Sequence, residues 1–72
     1  MQYAIIIEQS DSGFGAYVPD LPGCVAAGQS EDEVRELIRE AIEFHLDGLR
    51  EEGQPLPAPS ARVEYIDVQS AA

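Results

Sequence analysis

The segment Ser30–Gly53 carries both ends of a helix in its own residues. Ser30-Glu31-Asp32-Glu33 is a capping box. The Ser30 hydroxyl can accept from the Glu33 N–H, while the Glu33 carboxylate reaches back to the Ser30 N–H. Acids in this first turn also suit the positive end of the helix dipole. Gly53 followed by Pro55 is a stop signal near Glu52. At 100° per residue, the apolar arc runs from Phe44 and Leu37 through Ala41, Val34, His45 and Ile38 to Leu49, Ile42 and Leu46. It is about 200° wide, against roughly 100° for a helix lying on one sheet. The opposite arc holds Glu33, Glu36, Glu40, Glu43, Asp47 and Glu51, bordered by Arg35, Arg39 and Arg50. Glu31–Arg35 and Arg39–Glu43 have i,i+4 spacing, worth a few tenths of a kcal/mol each.

The rest of the chain must supply what that helix covers. Tyr3–Glu8 is short and β-branched and reads as a strand. Ser10-Asp11-Ser12-Gly13 is a turn cluster, and Phe14–Val18 follows with Phe14, Ala16 and Val18 on one face. Pro19-Asp20-Leu21-Pro22-Gly23 is a rigid corner, its prolines fixing φ and Gly23 supplying freedom. Cys24–Gly28 is a third strand. Three alternate prolines, Pro55, Pro57 and Pro59, make an extended connector. Arg62–Val68 is a last strand, with Val63 and Tyr65 on one face and Ile66 and Val68 on the other. The expected fold is α+β in β-β-β-α-β order. It has an antiparallel three-stranded sheet, one long helix on one face, and a fourth strand parallel to the first after a right-handed crossover. One domain occupies residues 1–68, and 69–72 form a loose tail.

Charge narrows the function. The net charge is −10 over 72 residues. Residues 30–53 hold nine acids and three arginines, so −6 of it sits on the helix segment. Such a surface opposes phosphate, which argues against nucleic acid or an anionic membrane as partner and for a basic protein. With 44% hydrophobic residues the chain is apolar enough to fold. No apolar run is long enough to span a bilayer, the N-terminus does not read as a signal peptide, and a cytoplasmic location is expected. The single cysteine, Cys24, leaves no internal disulfide and reads as a small buried hydrophobe; no metal or cofactor is expected. Cores of this size contribute about 3–5 kcal/mol. The wide helix arc and the consecutive Ile5, Ile6 and Ile7 therefore point to a second copy as the missing cover, a homodimer or higher homo-oligomer.

Candidate residues follow. Asp20 in the corner and Glu36, Glu40, Glu43 and Asp47 on the helix are candidates to meet a basic partner. Leu37, Ile42, Phe44 and Leu46, on the flanks of the arc, are candidates for the self-interface. Ser30, Glu33, Pro19, Pro22 and Gly23 are structural. His45 reads as a core or interface histidine, and Gly48 as a place for a close-packed neighbour. No residue is assigned a catalytic role.

Tyr17-Val18-Pro19-Asp20-Leu21-Pro22-Gly23-Cys24, followed by Ala41–Pro57 ("AIEFHLDGLREEGQPLP"), resembles the N-terminal domain of HicB-type antitoxins over about residues 2–68. The resemblance implies a partial ribonuclease-H-like fold. It also implies a partner, a small basic HicA-type ribonuclease toxin whose RNA-cleaving site the antitoxin masks. Full-length members carry a C-terminal DNA-binding domain, for which no room is expected before Ala72. The alternative functions are an oligomeric module of the same fold without a toxin, and a residual metal-dependent nuclease using Glu8, Asp67 and helix acids such as Glu36 or Glu40.

Overall fold

A computed structural model describes residues 1–70 of the chain; the last two residues of the expected tail, 71–72, lie outside the described residues. Three strands, β1 (Ile6–Ser10), β2 (Gly13–Tyr17) and β3 (Val25–Gly28), precede one helix, α1 (Glu31–Glu51). The strands form an antiparallel sheet in the order β1-β2-β3. Ile7, Ala16 and Ala26 lie in one row across it, facing the helix, and Ile6, Tyr17 and Val25 lie in the adjacent row, on the opposite face. α1 packs chiefly over β2 and β3. The chain is thus α+β, as expected.

The helix ends where its residues say it should. The Glu33 N–H donates to Ser30 Oγ at 3.1 Å. The return bond is displaced by one residue: Glu33 Oε1 accepts from the Gln29 N–H at 2.6 Å rather than from Ser30. At the other end, the Gln54 N–H reaches the Leu49 carbonyl and the Gly53 N–H the Arg50 carbonyl, with Gly53 at φ +70°. This is the paired bonding of a Schellman stop. The expected i,i+4 ion pairs are replaced by i,i+3 pairs: Arg35–Asp32, Arg39–Glu36 and Arg50–Asp47. All are solvent-exposed and add little stability.

The core is small. Ala16, Val18, Leu21, Cys24, Val34, Ile38 and Leu46 are buried, with Leu21, Val34 and Ile38 essentially inaccessible. Tyr3, Ile5, Ile7, Ile42 and Leu56 pack around them. Cys24 is buried as a small hydrophobe, and burial pushes its thiol pKa up, which keeps it neutral. No helix among the described residues is long and apolar enough to cross a membrane.

Two expectations about strands are corrected. β1 starts at Ile6, not Tyr3, because its partner runs out. Past Tyr17 the Val18 N–H bonds the Cys24 carbonyl, the Val18 carbonyl accepts from Leu21, and Pro19 has no N–H to offer. The fourth strand, Arg62–Val68, is not part of the sheet; the segment runs without strand pairing, and every residue from 62 to 70 is exposed. The connector explains why. The Tyr3 hydroxyl donates to the Pro57 carbonyl, and Asp20 then holds Ser60 and Ala61. The chain is carried past the start of β1 to the corner between β2 and β3.

Gly13 and Gly48 make opposite predictions. Gly13 has φ +144°, and a Cβ there would lie 2.5 Å from the Gly28 carbonyl oxygen, so Gly13→Ala should cost at least about 1 kcal/mol. Among the described residues, nothing beyond the helix's own backbone and the adjoining residues lies within 4 Å of a Cβ at Gly48, contrary to the expected close neighbour, so Gly48→Ala should stabilise the free chain by about 1 kcal/mol. Urea denaturation of the two variants checks both signs.

Candidate functional site

The flanks of the helix arc meet different surroundings. On the β1 side, Ile42 is half-buried and Leu46 is buried against the core. Leu46 is therefore a core residue before it is an interface residue, with Tyr3 and Ile5 beside it on that flank. A groove remains between the segment leading into β1 and the helix, the β1 groove, floored by Tyr3, Ile5, Ile38, Ile42 and Leu46 and edged by Arg35, Arg39, Arg50 and Glu43. On the β3 side the arc is uncovered. Phe44 is 82% exposed and Leu37 is exposed. They share a shallow apolar face with Val25, Ala41, Leu49 and half-buried His45, edged by Glu40 and Glu52. Gly48 lies in this same face, where its missing side chain leaves open space.

This division reorganises the predicted acidic site. The four helix acids do not form one cluster. Glu40 borders the Phe44 face, Glu43 lies on the β1 side, and Glu36 and Asp47 are each engaged with an arginine one turn away. Asp20 is occupied inside the chain. One carboxylate oxygen accepts from the Ser60 and Ala61 N–H groups at 3.0 Å each, and the other from the Ser60 hydroxyl at 2.9 Å. It is a clamp on the connector rather than an outward-facing acid. Pro19, Pro22 and Gly23 hold it in place, Gly23 at φ +85°. The Ser60 and Ala61 pairing could not be seen in sequence, since the partners lie 40 and 41 residues apart. Leu56 was likewise missed as a core contributor, hidden among prolines that signal only an extended connector.

The residues suggested for metal-dependent chemistry do not converge. Glu8 is exposed on β1 and Asp67 on the exposed C-terminal segment. Among the described residues there is no group of three or more His, Cys, Asp or Glu side chains placed to hold a metal ion. What the chain does present is interaction surface: a bare apolar face with an acidic border.

The comparisons agree with that character. A family model described as the HicB-like antitoxin of bacterial toxin–antitoxin systems matches residues 3–71. A 14.9 kDa protein from the rep–hol intergenic region of Haemophilus phage HP1 (strain HP1c1) is 39% identical over 67 residues, covering 93% of this chain and 50% of its own length. Antitoxin HicB 2 of Photorhabdus laumondii subsp. laumondii is 24% identical over 99% of this chain and 52% of its own length. The chain thus spans about half the length of these two relatives. Among solved structures, a chain of a HicA3 and HicB3 toxin–antitoxin complex matches with a TM-score of 0.70 and 37% identity, over 83% of this chain and 70% of that one.

The Asp20 clamp is open to test by pH. Backbone bonds from Ala61 and Ser60 hold the Asp20 carboxyl below its ordinary value, so its contribution is present at neutral pH and is lost as pH falls through that lowered value. The Ser60 and Ala61 amide resonances should stay unchanged down to the ordinary carboxylate range of about 4 and shift only below it. In Asp20→Asn both amides should exchange faster with solvent at neutral pH.

Proposed function

Since the chain belongs to the HicB-like antitoxin family, we propose that it binds and occludes a small basic HicA-type ribonuclease toxin in the cytoplasm, acting as a binding protein and not as an enzyme. The observation that carries this reading is the Phe44 face. A phenylalanine left 82% exposed at the centre of an apolar surface is the anchor of a protein contact rather than a feature of a solvated helix. Its acidic border and the net charge of −10 suit a basic partner. The same charge opposes contact between these residues and operator DNA or RNA phosphates.

Occlusion is then a division of labour. Phe44 and Leu37 supply apolar area that becomes dry on binding. Glu40 and Glu52 meet basic groups at the rim, while Glu36, Glu43 and Asp47 contribute to the field that speeds encounter. Open space at Gly48 lets partner atoms approach the helix backbone between Phe44 and Glu52. The domain is of the partial ribonuclease-H-like type, completed by a fourth strand, and acts as a homodimer or higher homo-oligomer.

The test uses purified chain and a small basic HicA-type ribonuclease. The wild-type chain should co-elute with the toxin and relieve its RNA cleavage. Phe44→Ala should weaken the complex about 30-fold, the loss of an anchor worth about 2 kcal/mol. Glu40→Lys combined with Glu52→Lys should slow association, with the difference shrinking as salt rises. A chain that neither co-elutes nor relieves cleavage overturns the proposal.

A further inference from the structure

The C-terminal segment has an apolar pattern and nothing in its own chain to bury it against. Tyr65 is 95% exposed, Val68 82% and Ile66 79%. The molecule measures 53 × 27 × 17 Å with a radius of gyration of 14.6 Å, against about 11 Å for a compact chain of this length. Residues 62–70 form a projecting arm. The arm alternates as a strand buried on both faces would, with Ile66 and Val68 on one side and Val63 and Tyr65 on the other.

The place such a strand would fill is open in the same chain. The outer edge of β1 is unpaired, and the segment before Ile6 has no strand pairing on either side. Beside that edge lies the apolar groove of Ile5, Ile42 and Leu46. Its rim carries Arg35, Arg39 and Arg50, each also paired with an acid one turn away on the helix, while the arm carries Arg62, Glu64 and Asp67, with Glu64 on the same side as Ile66 and Val68. The groove on the β3 side is bordered instead by Glu40 and Glu52, which repel those acids. Strand pattern and free edge therefore agree on the β1 groove. The arm does not reach it within one chain: Asp20 clamps Ser60 and Ala61 at the corner between β2 and β3, and three alternate prolines stiffen the approach.

We propose that residues 62–68 of one chain add as a fourth strand to the free edge of β1 in a second copy, with the exchange reciprocal about a two-fold axis. The strand runs parallel to β1, in the place it would hold in a closed monomer. Ile66 and Val68 enter the groove between β1 and the helix. Val63, Tyr65 and Asp67 lie on the other face beside Ile6, Glu64 meets the arginine rim, and backbone bonds pair the two edges.

Sedimentation of the full chain, without toxin, tests this. Wild type should run as a dimer. Ile66→Pro, which removes one edge N–H and an apolar side chain, should dissociate at least about tenfold more readily. Val68→Asp should do the same by placing a charge in the groove. Both variants should keep the wild-type helical circular dichroism, because the arm is exposed throughout in its own chain. Arg39→Glu, on the receiving side, should weaken the dimer as well, and adding Glu64→Arg should restore part of it. A wild-type chain that stays monomeric at all concentrations, or Ile66→Pro and Val68→Asp variants as dimeric as wild type, overturns the proposal. Phe44→Ala should leave the dimer intact, so the outcome separates self-association from toxin binding. An arm that serves the toxin instead would give a monomeric wild type and toxin binding lost in Ile66→Pro, which also overturns it.

Discussion

The corner from Val18 to Cys24 is the constraint on which the rest of the structure depends. Three of the seven buried core residues, Val18, Leu21 and Cys24, lie in these seven positions. Three backbone bonds close the corner on itself: Val18 N–H to Cys24, Leu21 N–H to Val18, and Cys24 N–H to Leu21. Satisfying the backbone locally is what allows the corner to insert Leu21 beneath the helix without leaving polar groups unpaired. The same bonds consume the Val18 groups that would extend β2, so β1 loses its partner at Ile6. Asp20, presented from this corner, then decides where the chain goes after the helix. Core, sheet length and the path of the C-terminus all follow from one seven-residue segment.

Most of the fold was legible because its signals are local. The capping box, the Gly53 stop and the hairpin around Gly13 each depend on residues within a few positions of one another, and all three form where the residues place them. The errors came from interactions that sequence does not bring together. Asp20 reads as an outward acid until Ser60 and Ala61 arrive from 40 and 41 positions away. Leu46 reads as a flank residue on the helical wheel until Tyr3 and Ile5 come beside it. The wheel gave the width of the apolar arc but not which flank the sheet covers, since that depends on where the helix lies over the strands. Its position over β2 and β3 leaves Phe44 and Leu37 bare and tucks Leu46 in. The i,i+3 ion pairs are a smaller case: an arginine has two acids within reach along its helix, and side-chain geometry selects among them.

The fourth strand fails for a different reason. Its pattern is that of a strand, and Val63, Tyr65, Ile66 and Val68 are strand formers. Propensity cannot create a ladder, however, without an edge to pair with. The connector is bonded at Tyr3 and again at Asp20, which fixes the direction in which the arm leaves. Sequence can carry the pattern of a strand while the route of the chain keeps it from any edge in its own molecule. In the proposed exchange, a small core with two half-finished features, an unpaired edge and an unburied strand, gains from a second copy what one chain does not supply.

Charge partition makes the two proposed interactions compatible. If the arginines were spread evenly through the acidic helix face, neither groove would distinguish an acidic arm from a basic toxin. Instead Arg35, Arg39 and Arg50 all edge the β1 groove, while Glu40 and Glu52 edge the Phe44 face. Glu64, on the groove side of the arm, is attracted to the first and repelled by the second. For a basic protein the preference is reversed. Discrimination of this kind needs the repulsive element as much as the attractive one. It also means that filling the β1 groove leaves the Phe44 face bare on each copy, so an arm-exchanged dimer carries two toxin-binding faces. Pairing the arms moves their apolar side chains out of water and leaves Phe44 as the main exposed anchor. The proposed self-association thereby sharpens the surface proposed for toxin recognition.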